Sequence, residues 1–377
     1  VINPKSTPHP LPMATIFDVA QLAGVSIKTV SRVVNREPRI SPDTFEKVSR
    51  AIEMLGYEPH HGARLMRSGK SGQIGFITGL FSDAEVGSTR AGLSELHILR
   101  GAQQASRAAR KTLLVADMGG GDQQTVEALL KTFATYRVEG VIYAANYHQQ
   151  AVLPKPKDTP LVLVNCFDLL GTPAVLPDDA LGQSRVVDHL VRCGHRRIGY
   201  VGVDEDMVAG RLRKAAFIAA CVRHGLAAAD CPVRIGSKLQ PGGPFLPLSA
   251  ALREIVALVP RPTALCFGND VMALHGARLL DELGVRVPQD MALMGFDNDQ
   301  TICEAMRPQL STVALPYFEM GVAAVERLLA GNATPGEPWQ LVAGDIVERG
   351  SAPPRPHTQA DFSTADATRP ALFDTAT

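Results

Sequence analysis

The segment from Thr15 to Asn35 constrains the fold most strongly, because its pattern predicts two short helices joined by a tight turn. Thr15 is placed to cap the first helix, and Asp18 follows three residues later, near the positive end of that helix. Gly24 can adopt the left-handed conformation that ends a helix, and Ser26 can cap the next one. The sequence therefore predicts a helix-turn-helix unit.

The second predicted helix, residues 27 to 35, has an apolar face and a polar face. Val30, Val33 and Val34 are predicted to turn inward. The other face carries short polar and basic groups of the kind that reach base edges and phosphates. The residues predicted on or near this face are Ile27, Lys28, Thr29, Ser31, Arg32 and Asn35. The alternative interpretation is an ordinary helical hairpin whose two cations are only solvated.

A third helix is predicted to begin at Ser41-Pro42-Asp43, which offers a cap residue, a proline in the first turn and an acid near the helix dipole. An apolar stripe then completes a three-helix unit. Between Met13 and Gly72 there are nine Lys or Arg residues and six Asp or Glu residues, whereas the whole chain has 38 of each class. This local positive excess favours a nucleic-acid partner.

Four motifs match a known family: Val19-Ala20, Ala23-Gly24-Val25-Ser26, Thr29-Val30-Ser31-Arg32-Val33-Val34-Asn35 and Gly56-Tyr57-x-Pro59. On these motifs the segment 15–70 resembles the DNA-binding headpiece of the lac/gal repressor family. The resemblance implies that Ile27, Lys28 and Arg32 contact bases in the major groove of double-stranded operator DNA. It also implies contacts with the DNA backbone from Thr15, Ser26, Thr29, Ser31, Asn35 and Tyr57.

The same resemblance implies a hinge helix within residues 59–72, which in the family becomes helical when two copies meet in the minor groove of DNA. Met66 stands where the family carries an apolar wedge, usually a leucine; the alternative is that Met66 packs on a neighbouring helix. Gly62 lies inside this segment and costs about 1 kcal/mol relative to alanine in a helix. His60 and His61 also depart from the family pattern. The hinge is therefore expected to be mostly unfolded on its own.

Composition bounds the rest of the chain. With 377 residues, 45% of them hydrophobic, the chain can form the headpiece and a two-lobed globular body. No apolar run approaches 18 residues and no leader pattern is present, so a cytoplasmic protein with no membrane partner is expected. The six cysteines are scattered without zinc or redox spacing, which predicts buried, reduced thiols and no metal or cofactor.

From about Gln73 the chain alternates short apolar runs with amphipathic helices, which is typical of parallel βαβ units. The predicted strands are Ile74–Ile77, Thr112–Ala116, Gly140–Tyr143, Leu161–Val164, Arg197–Val201, Ala264–Phe267 and Ala292–Gly295. The predicted helices are Gly101–Arg110, Val126–Thr135, Gly182–Cys193, Arg213–His224, Asp270–Leu283 and Phe318–Ala330. The predicted domains are a disordered extension (1–12), the helix-turn-helix domain (13–58), the hinge (59–72), an effector-binding and dimerisation core (73–349) and a disordered tail (350–377).

Motifs of the same family continue in order through residues 73–349, among them Gly194-His195-Arg196-Arg197-Ile198-Gly199, Gly268-Asn269-Asp270 and Gly295-Phe296-Asp297-Asn298. The body therefore resembles the two-lobed core of these repressors. The resemblance implies an α/β fold of two doubly wound parallel sheets, like a periplasmic sugar-binding protein. It also implies three segments that cross between the lobes and a ligand cleft between them.

Ligands of open α/β sheets bind beyond the carboxyl ends of the strands, which directs the search for an effector site. The candidate effector-binding residues are Phe81, Asn165, Asp178, Arg213, Asp270 and Tyr317. Arg213 stands where family members hold the effector, and the two aromatic residues are candidates for stacking on a sugar. The alternatives are that Asp270 is only a helix cap, Asp178 only a turn residue and Arg213 only an interlobe ion pair.

The sequence predicts a homodimeric transcription repressor that binds a palindromic operator and is released by a small sugar-like inducer. A regulator corepressed by a purine or another metabolite is the alternative. A solute-binding protein would explain the body but would need an export signal and would have no use for residues 15–70.

An enzyme is disfavoured. Gly119-Gly120-Gly121 lacks the lysine and hydroxyl of a phosphate loop. His195, between a helix and a strand, is interpreted as a surface corner, and no catalytic residue is assigned.

Overall fold

The computed structural model describes residues 14–34, 37–38, 40–57, 71–81, 93–119, 123–154, 156, 158–238, 247–331 and 338–355. The chain forms two compact units, Val1–Gly72 and Gln73–Thr377, and each is considered by itself. Asn35, Met66, the extension 1–12 and most of the hinge segment lie outside the described residues, so the predictions for them stay predictions.

Three helices form the first unit: α1 (Ile16–Ala23), α2 (Ile27–Val34) and α3 (Pro42–Leu55). At the start of α1, the Thr15 hydroxyl accepts from the Asp18 amide at 3.4 Å and the Asp18 carboxylate accepts from the Thr15 amide at 2.7 Å. This capping box satisfies amides that a helix N-terminus leaves unbonded. Gly24 ends α1 with φ 65°, and the Ser26 hydroxyl accepts from the Thr29 amide at 3.2 Å. The predicted caps and turn are confirmed.

Apolar side chains from all three helices meet in one small core. Val19, Val30 and Val48 are fully buried in it. Ser31 was predicted on or near the outer face of α2, but it is only 6% exposed, so this prediction is wrong. Successive helical residues are about 100° apart around the axis, so Ser31 lies at the border of the face that Val30 buries.

The second unit alternates strands and helices. Their order is β1 (Gln73–Thr78), α4 (Leu93–Ala108), β2 (Thr112–Asp117), α5 (Gln123–Thr135), β3 (Val141–Gln150), β4 (Leu161–Phe167), β5 (Ala174–Pro177), α6 (Asp179–Arg192), β6 (Ile198–Gly202), α7 (Val208–Arg223), β7 (Val233–Ile235), α8 (Leu248–Val256), β8 (Ala264–Phe267), α9 (Asp270–Glu282), β9 (Ala292–Met294), α10 (Gln300–Ala305), β10 (Thr312–Val313), α11 (Tyr317–Leu329), β11 (Trp339–Val342) and β12 (Ile346–Val347). Each predicted strand and helix matches one of these, although α4 begins earlier and β3 ends later than predicted. The elements that were not predicted are β5, β7, α8, α10, β10, β11 and β12, each between two and nine residues long.

Two parallel sheets define two lobes. The strand order is β11-β5-β4-β3-β1-β2 in the first lobe and β7-β6-β8-β9 in the second. Neighbouring strands run parallel in both sheets, as expected for βαβ units with helices on the sheet faces. The two-lobed α/β class predicted from the sequence is confirmed.

Within the described residues the chain passes between the lobes three times: after β5, between β10 and α11, and between β11 and β12. Hydrogen bonds join these crossovers to one another. The Asp178 amide donates to the Val342 carbonyl at 2.9 Å, and the Ala314 amide donates to the Asp345 carbonyl at 2.8 Å. The three crossovers therefore form one connected hinge region between the two lobes.

Helices α4 and α11 pack at backbone distance in the first lobe. An added Cβ at Gly101 would overlap the carbonyl oxygen of Phe318, and one at Gly321 would overlap the carbonyl oxygen of Ile98. Only glycine permits this approach at the two positions, and it fixes α11, which leaves the second crossover, against the first lobe.

His195 is 2% exposed and its Nδ1 lies 2.9 Å from the Thr263 hydroxyl, so it is a buried group and not a surface corner. Ser351, predicted in a disordered tail, is fully buried, and its hydroxyl donates to the carbonyl of Leu293 in β9 at 2.7 Å. The core therefore extends past residue 349. The six cysteines are free and buried, as predicted.

Candidate functional site

The exposed face of α2 is the candidate DNA interface of the first unit. Ile27 and Lys28, predicted to contact bases, are exposed, and Thr29, predicted to contact the DNA backbone, is half-buried. Arg32 has 39% of its side chain exposed, and its Nε lies 3.2 Å from a carboxylate oxygen of Glu37. An exposed pair of this kind contributes little to stability and can be exchanged for a base contact.

Tyr57 has a different environment from the one that the DNA-contact prediction requires. It is only 6% exposed and belongs to the core that Val19, Val30 and Val48 form. Burial raises the pKa of its phenol. In this structure Tyr57 is a packing residue of the headpiece.

A cavity of about 740 Å³ lies between the two lobes of the second unit. This volume falls within the range of pockets that hold small molecules. The first lobe contributes polar residues that include His97, Asn146, His148 and Asn165, and the second contributes Arg213, Asn269, Asp297 and Asn298. Asn165, Asn269 and Asp297 lie at or just past the carboxyl ends of β4, β8 and β9, where the fold rule places a ligand.

Three of the six predicted effector residues line this cavity, namely Asn165, Arg213 and Tyr317. Phe81 is not among the lining residues and is 65% exposed. Asp178 is also absent from the lining, and its carboxylate caps α6 by accepting from the Leu181 amide at 2.9 Å. The structure therefore supports the alternative interpretation of Asp178 as a local turn and cap residue.

Asp270 does not face the cavity, which corrects its prediction as an effector ligand. It is fully buried, and its carboxylate accepts from the Thr312 hydroxyl at 2.6 Å and from the Asp299 amide at 2.7 Å. An added Cβ at Gly295 would overlap this carboxylate. The neighbouring Asn269 caps α9 and lines the cavity instead.

Arg213 is the central charged group of the cavity and is almost completely buried. Its Nε donates to Asp179 at 2.7 Å, and its Nη1 donates to the Gly268 carbonyl at 2.5 Å. The guanidinium lies 3.8 Å from the centre of the Phe296 ring, and Nη1 is 3.9 Å from Asp297. Burial alone would lower the pKa of Arg213, but the carboxylate of Asp179 outweighs it and the pKa rises.

Asp179 binds a second partner, because its other oxygen lies 2.7 Å from Nδ1 of His148. Burial favours a higher pKa for the Asp179 carboxyl, yet Arg213 and His148 together hold that pKa below its usual value. An ionised carboxylate can only accept hydrogen bonds, so Nδ1 of His148 carries the proton. His148 also packs edge-on against Phe167, with ring centres 5.9 Å apart.

One acceptor of the cavity has no partner among the described residues, and a second has only a long contact with Arg213. Asn165 is 1% exposed and donates to the Ala145 carbonyl at 3.1 Å, but its Oδ1 has no hydrogen-bond partner among the described residues. A buried polar atom without a partner is costly and points to a missing ligand or water. Asp297 is the second: its side chain is 31% exposed, and its carboxylate lies 3.9 Å from Nη1 of Arg213, which is an ion-pair distance and longer than a hydrogen bond. Burial raises the pKa of Asp297, against the effect of Arg213.

Four residues of the site, His148, Asp179, Asn269 and Asp297, were not predicted from the sequence. Asn269 and Asp297 carried a signal, since each is a polar residue two or three positions after the end of a buried strand. His148 carried none, because β3 continues past its predicted end through an irregularity between Ala144 and Gln149. Among the described residues no group of His, Cys, Asp and Glu side chains is placed to hold a metal ion, and no helix is long and apolar enough to cross a membrane.

A three-helix unit with an exposed polar helix, together with a two-lobed core around a polar cavity, defines a ligand-binding regulator. Comparison with known proteins identifies its family. Residues 15–60 match the model for bacterial regulatory proteins of the lacI family, and residues 187–352 match a periplasmic binding protein-like domain. The ribose operon repressor of Escherichia coli strain K12 is 30% identical over 346 residues, which cover 90% of this chain and 100% of the relative. The chain belongs to the lacI family of bacterial regulatory proteins.

Solved structures agree with this assignment. The complex of the transcriptional regulator CelR with cellobiose matches with a TM-score of 0.56 and 26% identity over 90% of this chain and 99% of its own. The lac repressor dimer bound to operator and an anti-inducer matches with a TM-score of 0.66 over 90% of this chain and 99% of its own; at 24% identity this likeness supports the fold. As a member of this family the protein is a DNA-binding transcription regulator and not an enzyme.

Proposed function

We propose that the protein is a homodimeric, cytoplasmic repressor that binds a palindromic operator and is released when a sugar or sugar derivative enters the cavity. The observation that supports this most is the buried Asn165 Oδ1, which has no hydrogen-bond partner among the described residues and lines the same cavity as the Asp297 carboxylate, 3.9 Å from Arg213. Hydroxyl groups donate to such acceptors, and a sugar supplies several of them on one small ring. The relatives include a ribose operon repressor and a regulator solved with cellobiose.

The headpiece supplies the DNA side of the proposal. Ile27, Lys28 and Arg32 would contact base edges from α2, and Thr15, Ser26, Thr29 and Asn35 would contact the backbone. In a dimer the two recognition helices would bind half-sites about one helical turn apart. The lac repressor in the matching structure is a dimer on its operator, which favours the same assembly here.

The proposed ligand contacts are Arg213, Asn165, Tyr317, Asn269 and Asp297. Arg213 and Asn269 supply hydrogen-bond donors, whereas Asp297 and the Asn165 oxygen supply acceptors. The cavity can therefore donate to the oxygen of a ligand hydroxyl and accept from its proton. Because binding free energies are linked, an effector that weakens operator binding must itself bind less tightly to the DNA complex by the same factor.

A ligand screen tests the effector class. D-ribose, D-galactose, D-glucose and cellobiose are compared with hypoxanthine and guanine by thermal unfolding of the full chain. A sugar is expected to raise Tm and to release the operator, which is first selected from a random palindromic DNA library. A shift by a nucleobase alone, with tighter DNA binding, would replace the sugar proposal by the corepressor alternative.

Substitution of Arg32 by alanine tests the recognition helix. The loss of one bidentate base contact is expected to cost about 1–3 kcal/mol of operator affinity and to relax specificity at one base pair. Arg50→Ala is the matched control, because Arg50 is an exposed arginine of α3 that pairs with Glu46 on its own helix. Equal losses in both variants would mean that α2 makes no base contact through Arg32.

Met66 remains the proposed minor-groove wedge of the hinge. Met66→Ala is expected to lower operator affinity and DNA bending while the unfolding of the protein stays unchanged. Early unfolding with normal DNA binding would assign Met66 to a packing role.

A further inference from the structure

We propose that Asp179 is the point where ligand binding and lobe movement meet, and that His148 and Asp179 are positioning residues that hold Arg213 in the cavity and join the lobes. This inference rests on the proposed function of the cavity and names how the same site is regulated. Neither residue is assigned by the sequence motifs or by the comparisons.

The three residues come from both lobes and meet at one carboxylate. His148 lies on β3 in the first lobe, and Arg213 lies on α7 in the second. Asp179 is the first residue of α6, two positions after β5 ends, so it lies at the first crossover itself. One of its oxygens is 2.7 Å from His148 Nδ1 and the other is 2.7 Å from Arg213 Nε. Each lobe therefore holds one oxygen of the same side chain.

Burial makes the loss of any one of these hydrogen bonds costly. The side chains of His148, Asp179 and Arg213 are 5%, 0% and 7% exposed. Water therefore does not replace a donor that moves away, and the carboxylate must keep its protein partners. A rotation of the lobes about the first crossover would change the distance between His148 and Asp179, since His148 moves with β3 of the first lobe whereas Asp179 begins α6.

Ligand binding would act on the same carboxylate through Arg213. Asp179 holds the guanidinium of Arg213 in one orientation, and a ligand that contacts Arg213 or Asp297 would change or stabilise that orientation. The hydrogen bonds between crossovers then extend the effect, because the Asp178 amide is bonded to Val342 in the third crossover. The contact of Asp179 with His148 and Arg213 would then have two arrangements. Both the ligand and the angle between the lobes would favour one arrangement over the other, which is the physical requirement for coupling.

His148→Gln is the main test variant, since it keeps a polar side chain and leaves Asp179 and Arg213 in place. His195→Gln is its matched control. His195 is also a buried histidine with one side-chain hydrogen bond, to Thr263, and it does not line the cavity. The experiments use the full chain at pH 7.5. Asp179→Asn serves as a second variant if His148→Gln changes nothing, because it removes the shared charge itself.

Hydrogen–deuterium exchange tests the lobe-joining role without any ligand. In His148→Gln, amide exchange is expected to become about threefold faster or more in all three crossovers, including residues 314, 315 and 343–345, which His148 does not contact. In His195→Gln the change is expected only near Thr263. Faster exchange confined to the neighbourhoods of residues 148 and 179 would overturn the lobe-joining role.

Ligand affinity tests the positioning role. The probe is D-ribose, D-galactose or cellobiose, whichever raises the Tm of the wild type most. His148→Gln is expected to weaken its binding about tenfold, whereas His195→Gln lowers Tm comparably and leaves the affinity unchanged. Unchanged affinity in both His148→Gln and Asp179→Asn would overturn the positioning role. If no sugar binds the wild type, the proposed effector class fails, and the exchange experiment still decides the role of Asp179.

Discussion

The headpiece and the core hold their functional side chains through contacts of very different sequence separation. In the headpiece, Thr15 pairs with Asp18 and Ser26 pairs with Thr29, each three residues apart. In the core, Arg213 reaches Asp179 across 34 positions and the Gly268 carbonyl across 55. The headpiece therefore forms its functional face from short local contacts, whereas the core assembles its cavity from distant segments.

The two regions also differ in how they carry charge. Arg32 and Glu37 form an exposed pair on the headpiece, where water screens the charges and either partner can leave. Arg213 and Asp179 form a buried pair, where a lost partner leaves an uncompensated charge. An exposed cation remains available to DNA, while a buried one is fixed in direction. Substitutions in the two regions are therefore expected to differ in kind.

The largest expected effect separates the two regions completely. A chain that begins at Gln73 retains the second compact unit and lacks the helix-turn-helix unit. Operator binding in an electrophoretic shift assay is expected to disappear, while the thermal shift with a bound sugar persists. A truncated protein that still retards the operator would contradict the assignment of DNA binding to the headpiece.

Removal of the shared carboxylate is expected to give the next largest effect. Asp179→Ala leaves the buried guanidinium of Arg213 without its partner and is expected to lower the free energy of unfolding of the core by about 3–5 kcal/mol. Glu46→Ala removes the partner of Arg50 in the headpiece, where both side chains are more than two-thirds exposed, and little change is expected. Urea denaturation of both variants gives the comparison. Similar losses would mean that burial does not distinguish the two pairs.

The buried His195 predicts a pH dependence of core stability. Burial lowers its pKa from 6.5 to about 4. Between these values the unfolded chain binds a proton that the folded chain does not, so stability falls as the pH drops from about 6.5 to about 4, by about 3 kcal/mol in total. Urea denaturation at several pH values is expected to show a flatter profile in His195→Gln. An equally steep profile in the variant would assign the acid sensitivity to other groups.

The smallest expected effect concerns a local cap of the headpiece. The Ser41 hydroxyl accepts from the Thr44 amide at 3.3 Å at the start of α3. Ser41→Ala is expected to cost about 1 kcal/mol of headpiece stability, while Ser41→Asp keeps an acceptor and should cost less. The unfolding transition of the headpiece can be followed by circular dichroism of the full-length protein and of the isolated headpiece. A shift of the core transition would show that the cap is not a local feature.

Much of the fold follows from local sequence signals. The caps at Thr15 and Ser26 and the left-handed Gly24 were predictable, because each acts on residues only a few positions away. The long strands and amphipathic helices of the core were predictable from periodicity. Ser31 and His195 were misplaced, because burial at the border of a helix face or at a turn depends on what packs against it.

The site divides in the same way. The sequence by itself determined the family motifs, the strand ends where the cavity opens, and Arg213 and Asn165 as cavity residues. Only the tertiary structure decided that Asn269 faces the cavity while Asp270 turns beneath Gly295, because the start of α9 directs two adjacent side chains to opposite sides. It also decided the meeting of His148 with Asp179, since a hydrogen bond between two lobes depends on how the chain crosses between them, and no local pattern encodes that distance.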